Sequence, residues 1–419
     1  MDEIVQSYVR DKNFMGAVLV ARGTDVILNK GFGSANLEWD VPNTPATKFR
    51  LGSITKQFTA ASILLLEERG KLKLDDPIKT HLPDAPAAWN KITIFNLLTH
   101  TSGIPNFTSL PDYTSLKLTD TPVAKAIMTV RDKPLDFSPG ERMSYSNSGY
   151  LVLGYVIERV AGVSYEKFVT DNIFVPLGMK DSGYDSNTAI IARRAAGYAP
   201  SPAGPVNAGF IHMSVPHAAG ALYSTTGDLL RWEQGLFGGK LISAASLTKM
   251  TTPFKSDYAL GVVVQTTSGR KVIQHGGGIE GFNTFLAYYP DSKVTVAVLA
   301  NLNGQAPTRI ATNLAVLAHG GVVRLASERK EIALPVATLS KYVGTYEVAP
   351  GVTMLIRLIG DHLTTQLTGQ QQLPIFAESE TLFFYKVVEA TLEFQRDAGG
   401  AVNAVRLRQG PIDSVAPKK

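Results

Sequence analysis

The pattern of apolar and polar positions changes period several times along the chain, and each change predicts a different kind of element. Residues 3–12 carry a helical pattern. Residues 16–22 and 26–31 read as two strands, joined by the hairpin chemistry of Gly23-Thr24-Asp25. Loop signals run on through Pro42 and Pro45. The clearest helix follows Ser53, where Ala60, Ala61, Ile63, Leu64, Leu65 and Leu66 make an apolar face wide enough to predict deep burial. Gly70 closes that helix. From about 75 to 250 the pattern is mostly helical, with helices at 122–131, 149–161, 164–172 and 226–236 broken by Pro and Gly loops. No repeat of fixed period occurs.

From 258 the period shortens. Residues 258–265, 270–274, 282–289 and 294–300 are short, apolar and turn-bounded, with the spacing of antiparallel hairpins. A helix at about 305–319 follows, and the composition shifts again near Leu334-Pro335. Beyond it, 354–358, 362–368, 381–388, 390–395 and 402–408 have strand lengths and Gly or Asp turns, which predicts a small all-β barrel or sandwich. The fold class is therefore α+β: an antiparallel sheet flanked by helices and fed from both ends of a first domain, a helical insert at roughly 75–250, then a small all-β domain. The expected boundaries are 1–330 and 336–415.

Bulk properties exclude more than they assign. The length of 419 residues suggests two or three domains at about 150 residues each. A hydrophobic content of 44% with 18% charged residues fits a globular chain rather than a disordered one. The net charge is +5, but Lys and Arg are scattered and form no basic arm, so no nucleic-acid partner is expected. The absence of cysteine removes thiol catalysis, disulfides and thiolate metal sites, and leaves the compartment open. Met1-Asp2-Glu3 is acidic where a leader would be basic. The expectation is a cytoplasmic protein, or a periplasmic or secreted one if a leader has been removed. No apolar run reaches the ~18 residues of a membrane span.

Three short motifs carry the chemistry. Ser53-Ile54-Thr55-Lys56 is one of five Ser-x-x-Lys matches; the others are Ser164/Lys167, Ser246/Lys249, Ser268/Lys271 and Ser327/Lys330. Its context separates it, because Ser53 opens the most buried helix, whose N-terminus favours developing negative charge. The spacing puts Ser53 and Lys56 on one helix face, and a desolvated lysine there can act as a base. The ordinary alternative is a helix cap beside a surface lysine. Tyr145-Ser146-Asn147 is the single Tyr-x-Asn match among 15 tyrosines. Its phenol could relay a proton if neighbouring cations lower its pKa; the ordinary alternative is a turn. His275-Gly276-Gly277 ends a strand and is followed by Gly278, so backbone can approach a ligand closely there and a backbone N–H can donate to an oxyanion. His319-Gly320-Gly321 reads instead as a helix C-terminus.

Other chemistries find no support. Gly276-x-Gly278-x-x-Gly281 spells a dinucleotide fingerprint but precedes a strand rather than a helix. No Gly-x-Ser-x-Gly elbow, His-Glu-x-x-His pair or phosphate loop is present. His212 and His217 stand in neither zinc nor helical register, so neither a metal nor a cofactor is expected. Trp39, Trp89 and Trp232 read as core or cleft lining.

The ordered set of motifs resembles the serine β-lactamase and penicillin-binding-protein superfamily. Within it the chain is most similar to the class C β-lactamase-like group, which includes DD-carboxypeptidases, D-aminopeptidases and family VIII esterases. Phe49-Arg50-Leu51-Gly52-Ser53, Leu97-Leu98-Thr99-His100-Thr101-Ser102-Gly103, Phe137-Ser138-Pro139-Gly140 and Pro176-Leu177-Gly178-Met179 support the similarity, which spans roughly residues 5–320. The resemblance implies that Ser53 is the acylated nucleophile and that Lys56 and Tyr145 share the general-base and general-acid work. It implies that Asn147 orients substrate and Lys56, that the His275, Gly276, Gly277 and Gly278 strand binds substrate, and that the N–H groups of Ser53 and Gly278 form the oxyanion hole. The C-terminal module resembles the lipocalin-like domain of such hydrolases. Many members carry Lys-Thr-Gly or Lys-Ser-Gly where this chain has His275-Gly276-Gly277. An unperturbed histidine is mostly neutral at pH 7, with a pKa near ~6.5, so a β-lactam carboxylate loses its anchor. The expected activity is a serine hydrolase acting on small esters, amides or D-amino-acid peptides ahead of β-lactams. A non-turnover penicillin- or peptidoglycan-binding protein and an acyltransferase are the alternatives. The oligomeric state stays open.

Overall fold

A computed structural model describes residues 1–267, 269–324, 329–386, 390–409 and 412–419. Ser268, Ser327 and the end of the expected 381–388 strand lie outside the described residues. The chain divides into two compact units, Met1–His319 and Gly320–Lys419.

The first unit is built on a six-stranded antiparallel sheet in the order Val263–Thr267, Arg270–Ile279, Phe282–Tyr289, Val294–Ala300, Gly16–Arg22, Asp25–Phe32. The N-terminal hairpin thus completes a sheet whose other four strands come from late in the chain, with Leu19 opposite Ala297 and Ala297 opposite Leu286. Val294–Ala300 is buried at every position, and Gly16–Arg22 at all but its last. A strand covered on both faces needs no polar alternation, which explains their unbroken apolar runs. Helices Thr226–Phe237 and Ala306–Ala318 pack on this sheet.

Helix Thr55–Glu68 sits at the centre of the unit, buried without interruption from Thr55 to Leu66. Its buried side is wider than the apolar face alone, because Lys56, Gln57, Thr59 and Ser62 are buried too. Each polar side chain inside it has a partner, as buried polar groups require. Trp232 Nε1 donates to Gln57 Oε1 at 2.9 Å, Thr59 Oγ1 donates to Ala218 O at 2.7 Å, and Ser62 Oγ donates to Phe58 O at 2.8 Å.

Several boundaries differ from the sequence pattern. The 258–265 strand shrinks to Val263–Thr267, because Ser256, Asp257 and Gly261 turn the chain through positive φ. The 270–274 strand runs on to Ile279 through all three glycines, held by ladder pairs to Phe282–Tyr289. Helix 149–161 begins earlier, at Asn147. A three-stranded sheet that no pattern announced joins Phe49–Arg50, Leu222–Ser224 and Gly183–Tyr184. Trp89 and Trp232 are buried as expected, but Trp39 is 82% exposed.

The second unit is an eight-stranded antiparallel meander, from Gly344–Ala349 to Ile412–Pro417. Its ends meet at a bridge between Tyr346 and Lys418, and Lys419 N donates to Thr345 O at 2.8 Å, so the barrel is nearly closed. Tyr342, Phe383 and Phe394 pack inside it, with the Tyr342 and Phe394 rings stacked at 4.3 Å. The strands Gly344–Ala349, Leu373–Ala377 and Ile412–Pro417 were not anticipated.

One buried charge stands out from the packing. Glu233, inside helix Thr226–Phe237, is buried with its Oε2 unpartnered among the described residues, and burial pushes its carboxyl up to about 8. Folding therefore favours the protonated acid, and stability falls as pH rises from the ordinary carboxyl range through 8. Thermal melting should show Glu233→Gln close to wild type at pH 5 and more stable than wild type above pH 8, with the gap widening between.

Candidate active site

The site begins with a glycine. Gly52 has φ +55, and a Cβ there would stand 2.8 Å from Gly278 N. Only glycine lets the chain leave Phe49–Arg50, press against the glycine strand and enter the tight turn Gly52–Ile54. That turn presents Ser53 directly before helix Thr55–Glu68. Among the described residues the Ser53 hydroxyl meets the side chains of Lys56 and Tyr145 rather than capping the helix.

Lys56 follows within the first helical turn and is wholly buried. Its Nζ lies 2.9 Å from Ser53 Oγ, 2.9 Å from Asn147 Oδ1 and 2.8 Å from Ala219 O. The rings of Tyr145 and Tyr150 stand 4.8 and 5.4 Å from it. Tyr145 OH donates to Ser53 Oγ at 2.8 Å. Ser53 Oγ is thus held between an amine and a phenol. Asn147 is the first residue of helix Asn147–Ala161, and its N–H donates to Asn106 Oδ1 at 3.0 Å.

Burial decides the protonation of both partners. It holds Lys56 well below the ordinary lysine range, because the charged form loses its hydration. A neutral amine can give its two N–H groups to Asn147 Oδ1 and Ala219 O and turn its lone pair to the Ser53 hydroxyl. Burial also pushes Tyr145 upward, against the opposing effect of its bond to Ser53. The condition under which neighbouring cations would lower this phenol does not arise, since burial dominates. Tyr145 stays a proton donor toward Ser53 Oγ.

The glycine strand divides by face. Gly276 and Gly278 are exposed, whereas His275 and Gly277 point inward. A Cβ on Gly277 would sit 1.9 Å from Leu51 O and 2.3 Å from Thr284 Oγ1; one on Gly276 would meet nothing closer than 3.6 Å. His275 Nδ1 donates to Gly276 O at 2.6 Å, and Tyr258 OH donates to its Nε2 at 3.0 Å. Burial drives His275 down to about 4. The imidazole of His275 is neutral, buried and occupied at both nitrogens, and Gly277 is sealed against backbone. The exposed face of this strand is formed by Gly276 and Gly278.

The competing motifs resolve into structure. Ser164 caps helix Tyr165–Val169 by accepting from Lys167 N at 3.2 Å. Ser246 lies within helix Ala244–Met250, and Lys249 pairs with Glu67 at 2.9 Å. Among the described residues only Ser53/Lys56 shows a hydroxyl–amine hydrogen bond. His319 ends its helix with Gly320 at φ +80. The described residues contain no group of three or more His, Asp or Glu that could hold a metal, and no helix long and apolar enough to cross a membrane. Motif reading overlooked His100, Tyr150, Tyr258 and Ala219, which surround Lys56 and Tyr145. His100 had a signal, since it stands inside the Leu97–Gly103 block.

Fold and site together define a β-lactamase/transpeptidase-like serine hydrolase. The family described as Beta-lactamase matches residues 1–320, and the chain belongs to it; residues 328–415 match a domain of unknown function, DUF3471. Among its relatives, Penicillin-binding protein 4* of Bacillus subtilis (strain 168) is 28% identical, over 97% of this chain and 95% of that protein. Among solved structures, the octameric penicillin-binding protein homologue from Pyrococcus abyssi superposes with a TM-score of 0.70 at 27% identity, covering 99% of this chain and 98% of that one. A D-stereospecific amidohydrolase from Streptomyces sp. superposes with a TM-score of 0.62 at 27% identity, covering 72% of this chain and 93% of that one.

The two faces of the glycine strand give a direct test. Gly277→Ala should lower Tm and abolish most activity, because its methyl must displace backbone at Leu51, the segment leading to Ser53. Gly276→Ala should keep a Tm close to wild type, because its methyl meets nothing closer than 3.6 Å.

Proposed function

We propose that the protein is a serine hydrolase that forms an acyl-enzyme at Ser53, acting on small esters, amides and D-amino-acid peptides ahead of β-lactams. The observation that carries this reading is the placement of Ser53 Oγ between Lys56 Nζ at 2.9 Å and Tyr145 OH at 2.8 Å. Ser53 Oγ attacks the substrate carbonyl carbon while its proton passes to the neutral Lys56 amine. The oxyanion is received by the N–H groups of Ser53 and Gly278, on the exposed face of the glycine strand. As the tetrahedral intermediate collapses, the leaving alcohol or amine takes a proton from Tyr145, which is resupplied from Lys56. Water then repeats the sequence on the ester and frees Ser53.

The preference against β-lactams rests on the third motif. His275 is neutral and enclosed, and Gly276 has no hydroxyl, so this strand offers no anchor for a carboxylate. The similarity to a D-stereospecific amidohydrolase supports amides as substrates. The nearly closed eight-strand order supports the lipocalin-like reading of 336–415.

Steady-state assays with a p-nitrophenyl ester, a D-amino-acid amide and nitrocefin test the proposal. Ser53→Ala should lower kcat by at least about a thousandfold on any accepted substrate, as loss of a nucleophile does. Retained activity in that variant would remove Ser53 from the mechanism, and nitrocefin turnover exceeding that of the ester would reverse the substrate ranking. Because the neutral amine of Lys56 is the active form, kcat/KM should fall as pH is lowered. The midpoint of that limb should lie well below the ordinary lysine value.

A further inference from the structure

His100 follows helix Ile94–Leu98 with φ +55, a backbone conformation that residues with a Cβ rarely adopt. It is buried, and two hydrogen bonds tie it to the Tyr145 segment. Its carbonyl accepts from Ser144 N at 2.9 Å, and its Nδ1 accepts from Ser146 N at 3.1 Å. Those two donors are the residues on either side of Tyr145. The imidazole ring also lies against the Tyr145 ring, with centroids 4.3 Å apart, and Tyr258 and Tyr150 enclose it at 4.6 and 5.1 Å.

The tautomer follows from the donor. A backbone N–H can only donate, so Nδ1 is unprotonated and the ring proton sits on Nε2. Nε2 is buried without a partner among the described residues. Strained backbone and an unsatisfied buried nitrogen both work against stability. A residue kept for packing alone would carry neither.

We propose that His100 is the positioning residue of the Tyr145 phenol: it grips the backbone on both sides of Tyr145 and supports its ring, so that the hydroxyl meets Ser53. This rests on the reading of Ser53, Lys56 and Tyr145 as the reacting groups. Burial keeps the imidazole neutral, as the bond from Ser146 N requires. A cation here would lose that acceptor.

Two substitutions separate positioning from packing. His100→Asn keeps an acceptor at the Nδ1 position and tolerates positive φ. His100→Gly accepts positive φ as well but has no acceptor. With kcat expressed per fluorophosphonate-titrated site, His100→Asn should stay within about fivefold of wild type, and His100→Gly should lose at least about tenfold in kcat with KM little changed, within the range general acid–base groups supply. In a Tyr145→Phe background the His100→Gly effect should disappear, since coupled residues are not additive. Equal activities of the two variants, or an undiminished His100→Gly effect in the Tyr145→Phe background, would overturn the proposal. Labelling that persists in Ser53→Ala would instead refute the underlying site.

Discussion

Lys56 carries its amine into the interior with three oxygens around it and no carboxylate partner among the described residues. An unpaired ammonium in such a place is strongly disfavoured, and a lysine answers by giving up its proton. The fold around it serves that end. The central helix is buried on all sides, the start of helix Asn147–Ala161 brings in an amide oxygen, and the turn His217–Gly220 brings in a carbonyl. Both acceptors suit a neutral amine as well as a charged one, so the site keeps its geometry when the proton moves. The same burial leaves Tyr145 protonated. One physical effect thus favours the uncharged form of both groups, an amine and a phenol on either side of one hydroxyl.

The second constraint is contact between backbones. Gly52 and Gly277 sit where a single β-carbon would strike the opposite chain, one facing Gly278 and the other facing Leu51. The segment carrying Ser53 and the strand carrying the proposed oxyanion donor therefore approach as closely as two backbones can. Thr284 Oγ1 donates to Leu51 O at 2.7 Å and fixes the same junction. The site depends on this junction as much as on its side chains, and the two glycines are structural parts of it.

Much of this was legible in the sequence. Long apolar runs marked the sheet strands and the central helix because burial on both faces leaves a strong pattern. Ser53, Lys56, Tyr145 and Asn147 stood out because the motifs occur in order within recognisable surroundings, and the structure brings all four within hydrogen-bonding distance of one another through Lys56 and Ser53. The inward turn of His275 and Gly277 was hidden, because the glycine triplet looked like the end of a strand and only its ladder pairs reveal which residues face out. The phenol's direction of shift was hidden too, since it depends on burial that no local pattern reports. In the second unit, Leu373–Ala377 contains a proline and Ile412–Pro417 mixes charged and small residues, so neither resembled a strand. Trp39 was misplaced by its type: a tryptophan is usually buried, and here it sits on an exposed turn.

The central claim is that Ser53 is an activated nucleophile. Intact-protein mass spectrometry after treatment with a fluorophosphonate, followed by peptide mapping, tests it most directly, with folded Ser53→Ala protein as the control. The account predicts one adduct on the wild-type chain, mapped to Ser53, and none on the variant. An unlabelled wild-type protein, or a variant that still takes the label, would contradict it.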